Sequence, residues 1–125
     1  MLQHVALAIN DSEEIPRFYE TILHFSLNRQ FQVNAELIRQ IFHAEGAVDV
    51  ALMEHDDTTL EIFLSPEKEK KVFSHLCLAY RNAEQISKKA TELGYQVWVK
   101  ENPVNNTYFI RDKSGNIFEI KELPE

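Results

Sequence analysis

The chain has 125 residues, of which 44% are hydrophobic and 26% charged, so it has room for one folded core and excludes two large domains. Its 13 Lys and Arg residues are outnumbered by 20 Asp and Glu residues, and no basic cluster favours nucleic acid as a partner. The longest apolar runs are far shorter than the roughly 18 to 20 residues of a membrane span, and residues 1–3 lack the basic start of a signal peptide. We therefore expect a cytoplasmic protein that does not associate with membranes.

The spacing of apolar residues divides the first half of the chain into strands and helices. A candidate N-cap, Asp11 or Ser12, precedes an apolar stripe at helical spacing. The predicted elements are a strand over residues 4–9, a helix over roughly 12–24, a strand after a short turn, a short inserted helix over 34–43, and a hairpin whose strands 48–54 and 60–64 flank the polar loop 55–59. The first half therefore predicts an α+β module.

The second half predicts the same order without the inserted helix. Asn82 is a candidate N-cap, and Gly94 follows the apolar stripe where a left-handed residue commonly ends a helix. The predicted elements are a strand over residues 75–80, a helix between Asn82 and Gly94, a strand near Val97, and a hairpin. The strands of this hairpin, 108–111 and 116–121, flank the turn 112–115. The charged, proline-containing segment 65–71 is the predicted linker. One domain over residues 1–125 is expected, with modules over about 1–64 and 72–125.

The two halves also resemble each other residue by residue, which indicates an internal duplication. The segment from His4 to Ile9 aligns with the segment from His75 to Tyr80, and the alignment continues with one gap. After that gap Leu23-His24-Phe25-Ser26-Leu27 lies over Leu93-Gly94-Tyr95-Gln96-Val97, which places His24 at the position of Gly94. Late in each half, Leu60-Glu61-Ile62 corresponds to Phe118-Glu119-Ile120. The order βαβββ is therefore predicted twice.

Two histidines and two glutamates occupy equivalent positions in this repeat. Side chains alternate across a strand, so His4 and His75 share faces with small residues, while Glu61 and Glu119 point away from their apolar neighbours. A half-buried carboxylate costs several kcal/mol unless a cation or a proton compensates it. Taken singly, such residues are often solvated, but their recurrence favours a divalent metal site. Two imidazoles and two carboxylates suit Zn, Ni, Co, Fe or Mn.

These motifs resemble the vicinal oxygen chelate superfamily, the glyoxalase/bleomycin-resistance/extradiol-dioxygenase group, over nearly the whole chain. The helix segment Arg17–Phe25 and the turn Asp112-Lys113-Ser114-Gly115-Asn116, followed by Glu119, carry the resemblance besides the repeat. It implies two βαβββ modules forming a curved mixed sheet around a metal cleft, and usually a homodimer. The resemblance further implies that the metal ligands are His4, Glu61, His75 and Glu119, the set associated with glyoxalase I.

The resemblance implies a lactoylglutathione lyase-like enzyme that moves a proton between adjacent carbons of a small oxygenated substrate. Glu119 is the better candidate for the base, and Glu61 is the other. The family's glutathione-binding Arg and Asn have no counterpart, since Ala8 and Ser65 occupy those positions. The substrate and its thiol therefore stay open.

Two other function classes remain from the sequence alone. One is a metal-dependent dioxygenase acting on a small vicinal-oxygen compound. The other is a drug-binding resistance protein without catalysis, in which Trp98, Tyr108 and Phe63 line the cleft. We expect the single cysteine, Cys77, to be a small buried filler, although it shares the face of His75. The remaining histidines are expected to be surface or capping residues, namely His24, His43 and His55.

Overall fold

The computed structural model describes residues 1–66 and 73–124, and the chain divides into two compact units, Met1–Lys68 and Glu69–Glu125. Residues 67–71 of the predicted linker lie outside the described residues. Within the described part of the chain, each unit contains one four-stranded mixed sheet and at least one helix, so the predicted α+β class is confirmed. Among these residues no helix combines the length and apolar character that crossing a membrane requires.

The first unit follows the predicted order, including the inserted helix. Its elements are β1 (Val5–Ile9), α1 (Ile15–Glu20), β2 (Ser26–Val33), α2 (Ala35–Leu37, continuing as Ile38–Phe42), β3 (Val48–His55) and β4 (Thr58–Leu64). The strand order is β1-β4-β3-β2, with β1 parallel to β4 and the other pairs antiparallel. The side chain of Asn34 accepts a hydrogen bond from the Leu37 backbone N–H at 2.9 Å and so caps α2.

The first helix is shorter and wider than the sequence predicts. Its hydrogen bonds include steps of five residues, from the Thr21 N–H to the Pro16 carbonyl and from the Leu23 N–H to the Phe18 carbonyl, both at 3.1 Å. Pro16 lies in the first turn and has no N–H to donate. The predicted apolar stripe is nevertheless buried, and its most enclosed members are Phe18, Tyr19, Ile22 and Leu23.

The second unit repeats the sheet without the insertion. Its elements are β5 (Leu76–Tyr80), α3 (Ala83–Glu92), β6 (Val97–Lys100), β7 (Thr107–Arg111) and β8 (Ile117–Glu122). The strand order is β5-β8-β7-β6, again with one parallel pair, β5 with β8. Helix α3 packs on β6, β7 and β8, and it buries Ile86 and Ala90. The two sheets therefore have the same topology.

The register of the strands confirms the duplication position by position. Val5 pairs with Leu60, and Leu76 pairs with Phe118. One residue further along, Ala6 pairs with Glu61 exactly where Cys77 pairs with Glu119 in the second sheet. The repeat therefore extends from the sequence to the backbone pairing of β1 with β4 and β5 with β8.

The two turns that follow the aligned helices also agree. His24 has φ of 62° and Gly94 has φ of 86°, so both adopt the left-handed conformation that ends a helix. A histidine occupies this conformation at some cost, whereas glycine has no Cβ to strain it. The predicted equivalence of these two positions is confirmed.

The hairpin loops differ from each other, and the first is shorter than predicted. Thr58 and Thr59 pair with His55 and Glu54, so only Asp56 and Asp57 form the turn. Asp56 has φ of 50°, a conformation that Asp tolerates better than most residues. Two threonines in the predicted loop continue the strand because β-branched side chains suit a pleated backbone.

The second hairpin turn is organised by the buried side chain of Asp112. Its Oδ1 accepts hydrogen bonds from the backbone N–H groups of Ser114 at 3.0 Å and Asn116 at 2.8 Å. Its Oδ2 accepts a third bond from the Asn116 side-chain amide at 2.8 Å. Gly115 has φ of 92° and closes the turn. The turn therefore fixes where β8, which carries Glu119, begins.

Candidate metal centre

Both glutamates lie on the less buried face of their strands, as predicted. In β4, Leu60 and Ile62 are fully buried, whereas the side chain of Glu61 is 21% exposed. In β8, Phe118 and Ile120 are likewise buried, whereas the side chain of Glu119 is 18% exposed. The alternation that separates apolar from carboxylate side chains is therefore the same in both units.

Each unit brings its histidine and its glutamate together. The His4 Nε2 atom lies 3.3 Å from Glu61 Oε1, and the His75 Nε2 atom lies 3.2 Å from Glu119 Oε1. Each histidine precedes the edge strand that runs parallel to its partner's strand. The repeat thus builds one imidazole–carboxylate pair in each unit.

The spacing within each pair fits two ligands of one metal ion. Metal bonds to imidazole nitrogen and carboxylate oxygen are about 2.1 Å long, which separates two neighbouring ligands by about 3.0 to 3.4 Å. Both observed distances, 3.2 and 3.3 Å, lie in that interval. The same spacing suits an ion pair between a protonated imidazole and a carboxylate. The spacing is therefore common to a metal-bound pair and to a direct imidazole–carboxylate contact.

The hydrogen bonding of His75 is compatible with metal binding. Its Nδ1 atom lies 2.9 Å from the backbone carbonyl oxygen of Phe73. A carbonyl only accepts, so Nδ1 carries the hydrogen and a neutral imidazole keeps its lone pair on Nε2, the atom that faces Glu119. Metal-binding histidines commonly donate their second ring N–H to a backbone carbonyl in this way. The residues of this pair therefore fit a divalent metal.

Among residues 1–66 and 73–124, no three His, Cys, Asp or Glu side chains are grouped so that they could hold a metal ion. Each unit supplies two of the predicted ligands by itself. The joint site of His4, Glu61, His75 and Glu119 remains a prediction.

The surroundings of the two carboxylates differ. The Nζ atom of Lys121 lies 3.4 Å from Glu119 Oε2, so this carboxylate contacts a cation on one oxygen and the imidazole on the other. The strand register places Phe63 at the corresponding position beside Glu61. Phe63 instead contacts Phe42 of the inserted helix, with ring centroids 5.4 Å apart. Among the described residues, Glu119 therefore contacts a lysine besides its histidine, whereas Glu61 contacts only its histidine.

Cys77 is exposed, so the expectation of a buried filler is wrong. It pairs in register with Glu119, and both side chains project from the same face of the sheet. Partial desolvation, and secondly the negative charge of Glu119, raise the pKa of the Cys77 thiol, while Lys121 opposes that rise. Burial alternates along β5, and Cys77 lies on its more exposed face.

The three aromatic residues expected to line one cleft lie on different faces. Trp98 pairs with Phe109, which in turn pairs with Glu119, so Trp98 lies on the same face of the sheet as this carboxylate. Its side chain is half exposed, and the Arg111 guanidinium lies 5.4 Å from its ring centroid. Tyr108 is one residue out of phase and lies on the buried face with Ile120. The prediction that Tyr108 joins the same cleft is therefore wrong for the second unit.

The other histidines end structural elements, as predicted. His24 and His43 adopt left-handed conformations, with φ of 62° and 56°, after α1 and α2. His55 ends β3, and its Nδ1 lies 2.9 Å from the His24 carbonyl oxygen. None of the three contacts Glu61 or Glu119 within the described residues.

Comparisons with known proteins identify the family. Residues 1–120 match the sequence model described as the Glyoxalase/Bleomycin resistance protein/Dioxygenase superfamily. No curated protein matches the chain at a significant level.

The fosfomycin resistance protein FosX of Listeria monocytogenes has a TM-score of 0.76 at 11% identity, over 99% of this chain and 93% of that chain. A glyoxalase family protein of Enterococcus faecalis has a TM-score of 0.70 at 17% identity, over 96% of this chain and 95% of that chain. The trypanothione-dependent glyoxalase I of Leishmania major has a TM-score of 0.76 at 12% identity, over 98% and 86%. Identities this low establish the fold alone. Because the family match spans nearly the whole chain, the protein belongs to the glyoxalase/bleomycin resistance protein/dioxygenase superfamily.

Proposed function

We propose that this protein is a metal-dependent lyase or isomerase of the glyoxalase type. In this proposal one divalent ion, Ni, Zn, Co, Mn or Fe, is held jointly by His4, Glu61, His75 and Glu119. The observation that carries the proposal is the imidazole–carboxylate pair built twice, at 3.3 and 3.2 Å, on equivalent strands of a duplicated fold. A FosX variant that shares this fold was crystallised with Mn(II) and a dihydroxypropylphosphonic acid, which supports a divalent metal in this family.

The substrate class follows from the ligand set. When bound, a divalent cation polarises the oxygen atoms of a substrate and stabilises negative charge that develops on them. Two imidazoles and two carboxylates leave coordination positions for water or for a substrate with two neighbouring oxygen atoms. We therefore propose a small oxygenated substrate in which a proton moves between adjacent carbons.

Glu119 is the proposed general base. Its Oε1 faces His75 and its Oε2 faces the Lys121 ammonium, so the carboxylate is held in place but only partly enclosed. A carboxylate that keeps access to the substrate can accept a proton from one carbon and return it to the next. Glu61 is the alternative base. Among residues 1–66 and 73–124 its second oxygen has no ion pair like that of Glu119, because Phe63 occupies the strand position equivalent to Lys121.

The test combines metal analysis with turnover on protein purified without a histidine tag. Wild-type protein is expected to carry one metal ion per chain and to act on methylglyoxal with at least one thiol after loading with Ni, Co, Mn or Zn. His75→Ala is expected to lose the metal. Glu119→Gln is expected to keep it, because an amide oxygen still coordinates, while turnover falls roughly a hundredfold to ten-thousandfold.

Glu92→Gln is the matched control for the loss of one carboxylate, since Glu92 is exposed on α3 and pairs only with Lys89 among the described residues. Metal-free wild-type protein that stays inactive with every metal and thiol contradicts the proposal. Oxygen uptake with catechols after anaerobic iron loading would instead indicate a dioxygenase. Tight drug binding that chelators leave unchanged would indicate a binding protein without catalysis.

A further inference from the structure

A separate pocket lies within the second unit, where β5 and β8 end and α3 begins. Its volume is about 430 Å³, within the range of roughly 300 to 1,000 Å³ typical of small-molecule sites. Arg81 and Asn82 line one side, Asn105 and Asn106 of the β6–β7 connection line another, and Tyr108 and Glu122 lie on the sheet. The two sheet residues share the buried face with Ile120, so the pocket opens on the opposite face from Glu119.

Tyr108 points to a ligand in this pocket. The residue is only 8% exposed, yet within the described residues its hydroxyl has no hydrogen-bond partner, and no buried polar atom there is unsatisfied. The hydroxyl is therefore reached by solvent, and Tyr108 lines the pocket. A buried tyrosine usually satisfies its hydroxyl within the protein. This one presents its hydroxyl to whatever fills the pocket.

The duplicated fold shows that the polar sheet residues are specific to the second unit. By strand register, Tyr108 pairs with Ile120 as Ala51 pairs with Ile62 in the first sheet. In the same way, Glu122 pairs with Tyr80 as Leu64 pairs with Ile9. The first unit therefore has an alanine and a leucine where the second has a phenol and a carboxylate. The first sheet has the same strand order with apolar residues at both positions, so the sheet topology itself does not require polar ones.

The charges of the pocket define its ligand. Glu122 Oε2 accepts a hydrogen bond from the Ala83 backbone N–H at 2.9 Å, which fixes the carboxylate and leaves Oε1 without a partner among the described residues. Arg81 forms no ion pair within the same residues. We propose that the pocket binds a small zwitterion of the free amino-acid type. Its ammonium group contacts Glu122 and the Tyr108 hydroxyl, and its carboxylate contacts Arg81.

The amides complete this assignment. Asn105 and Asn106 supply donors and acceptors for a polar side chain of the ligand, while Asn82 and Gln85 already share a hydrogen bond at 3.4 Å. A neutral polyol would leave the charges of Arg81 and Glu122 uncompensated. A ligand with one charge of each sign matches both.

The test is a titration of the isotopically labelled full chain with each of the twenty free amino acids, followed by amide chemical shifts. We expect at least one to bind saturably with a Kd below about 10 mM, shifting the amides of Ala83, Asn106 and Tyr108. The N-acetyl and carboxamide forms of that amino acid, which each lack one charge, are expected to bind at least about tenfold more weakly. The titration uses metal-free protein, so its outcome is independent of the proposed metal site.

Two conservative variants separate ligand contacts from folding. Tyr108→Phe keeps the ring, and Glu122→Gln keeps an oxygen for the Ala83 N–H; each is expected to weaken binding about tenfold. Lys89→Gln removes a charge from α3 outside the pocket and is expected to change nothing. The proposal is overturned if no amino acid binds saturably, if glucose binds equally well at the same amides, or if both pocket variants bind like the wild type.

Discussion

The two units have the same strand topology and differ in their side chains. Both have the same strand order, the same register between their parallel strands, and an imidazole–carboxylate pair at nearly the same distance. At other equivalent strand positions the first unit has an apolar residue where the second has a polar one, as with Phe63 and Lys121. The imidazole–carboxylate pair is thus common to both units, whereas these other residues occur in only one of them.

The largest expected effect tests whether the two pairs act on one ion. If they do, His4→Ala and His75→Ala each lower the affinity for the metal by at least about a hundredfold, because either variant removes one ligand of the same site. Stoichiometry by elemental analysis and competition with a chelator measure this effect. Two independent sites would bind two ions in the wild type, and each variant would retain one.

The control for both variants is His43→Asn. His43 is exposed and has φ of 56°, a conformation that asparagine adopts with little strain. The loss of one imidazole outside the pairs should leave metal content and affinity unchanged. A comparable loss in this variant would show that the histidine variants act through the fold.

The next largest expected effect is on the free energy of unfolding, where variants in the two hairpin turns should differ. Asp112→Ala removes a buried carboxylate that accepts three hydrogen bonds, two of them from the backbone and side-chain amides of Asn116, so the free energy of unfolding should fall by about 3 kcal/mol. Asp56→Gly in the first turn should change it by less than about 0.5 kcal/mol, since Asp56 is exposed and glycine accepts its positive φ. Urea unfolding of the two variants compares them directly, and equal losses would contradict the assigned role of Asp112.

The sequence was sufficient for the features that depend on alternation and repetition. Short apolar runs between polar turns, together with the repeat, placed the predicted strands, and alternation placed Glu61 and Glu119 on the less buried faces of their sheets. The wide turns of α1 could not be predicted, because the apolar spacing that buries Phe18 fits a regular α-helix equally well. The pocket beside Tyr108 was missed because a strand tyrosine reads as a core residue, although its equivalence with Ala51 was a usable signal.

The ends of the aligned helices predict smaller and opposite changes. His24→Gly should raise the free energy of unfolding by up to about 1 kcal/mol, because glycine adopts φ of 62° without a Cβ penalty. Gly94→Ala should lower it by about 1 kcal/mol. Among the described residues other than its chain neighbours, no atom lies within 4 Å of a Cβ added at Gly94, so the loss comes from backbone strain and not from a clash. Thermal unfolding that moves both variants in the same direction would contradict the equivalence of the two turns.

The smallest expected effect concerns the thiol beside Glu119, measured as the rate of alkylation by iodoacetamide in metal-free protein. Because Glu119 raises the pKa of Cys77, Glu119→Gln should lower that pKa and speed alkylation at pH 7.5 about twofold to fivefold. Lys121→Gln removes the opposing charge, so it should slow the reaction by a similar factor.

The first unit offers the matching test, since Ala6 pairs with Glu61 as Cys77 pairs with Glu119. In the Cys77→Ser background, Ala6→Cys places a thiol beside a carboxylate whose neighbour is Phe63, where the second unit has Lys121. Phe63 carries no charge to oppose that of the carboxylate, so this thiol should have the higher pKa and react more slowly than Cys77 at the same pH. The two rates should converge once the pH exceeds both pKa values, because each thiol is then fully ionised. A faster reaction at position 6 at pH 7.5 would mean that exposure, and not the local charge, sets thiol reactivity on these two faces.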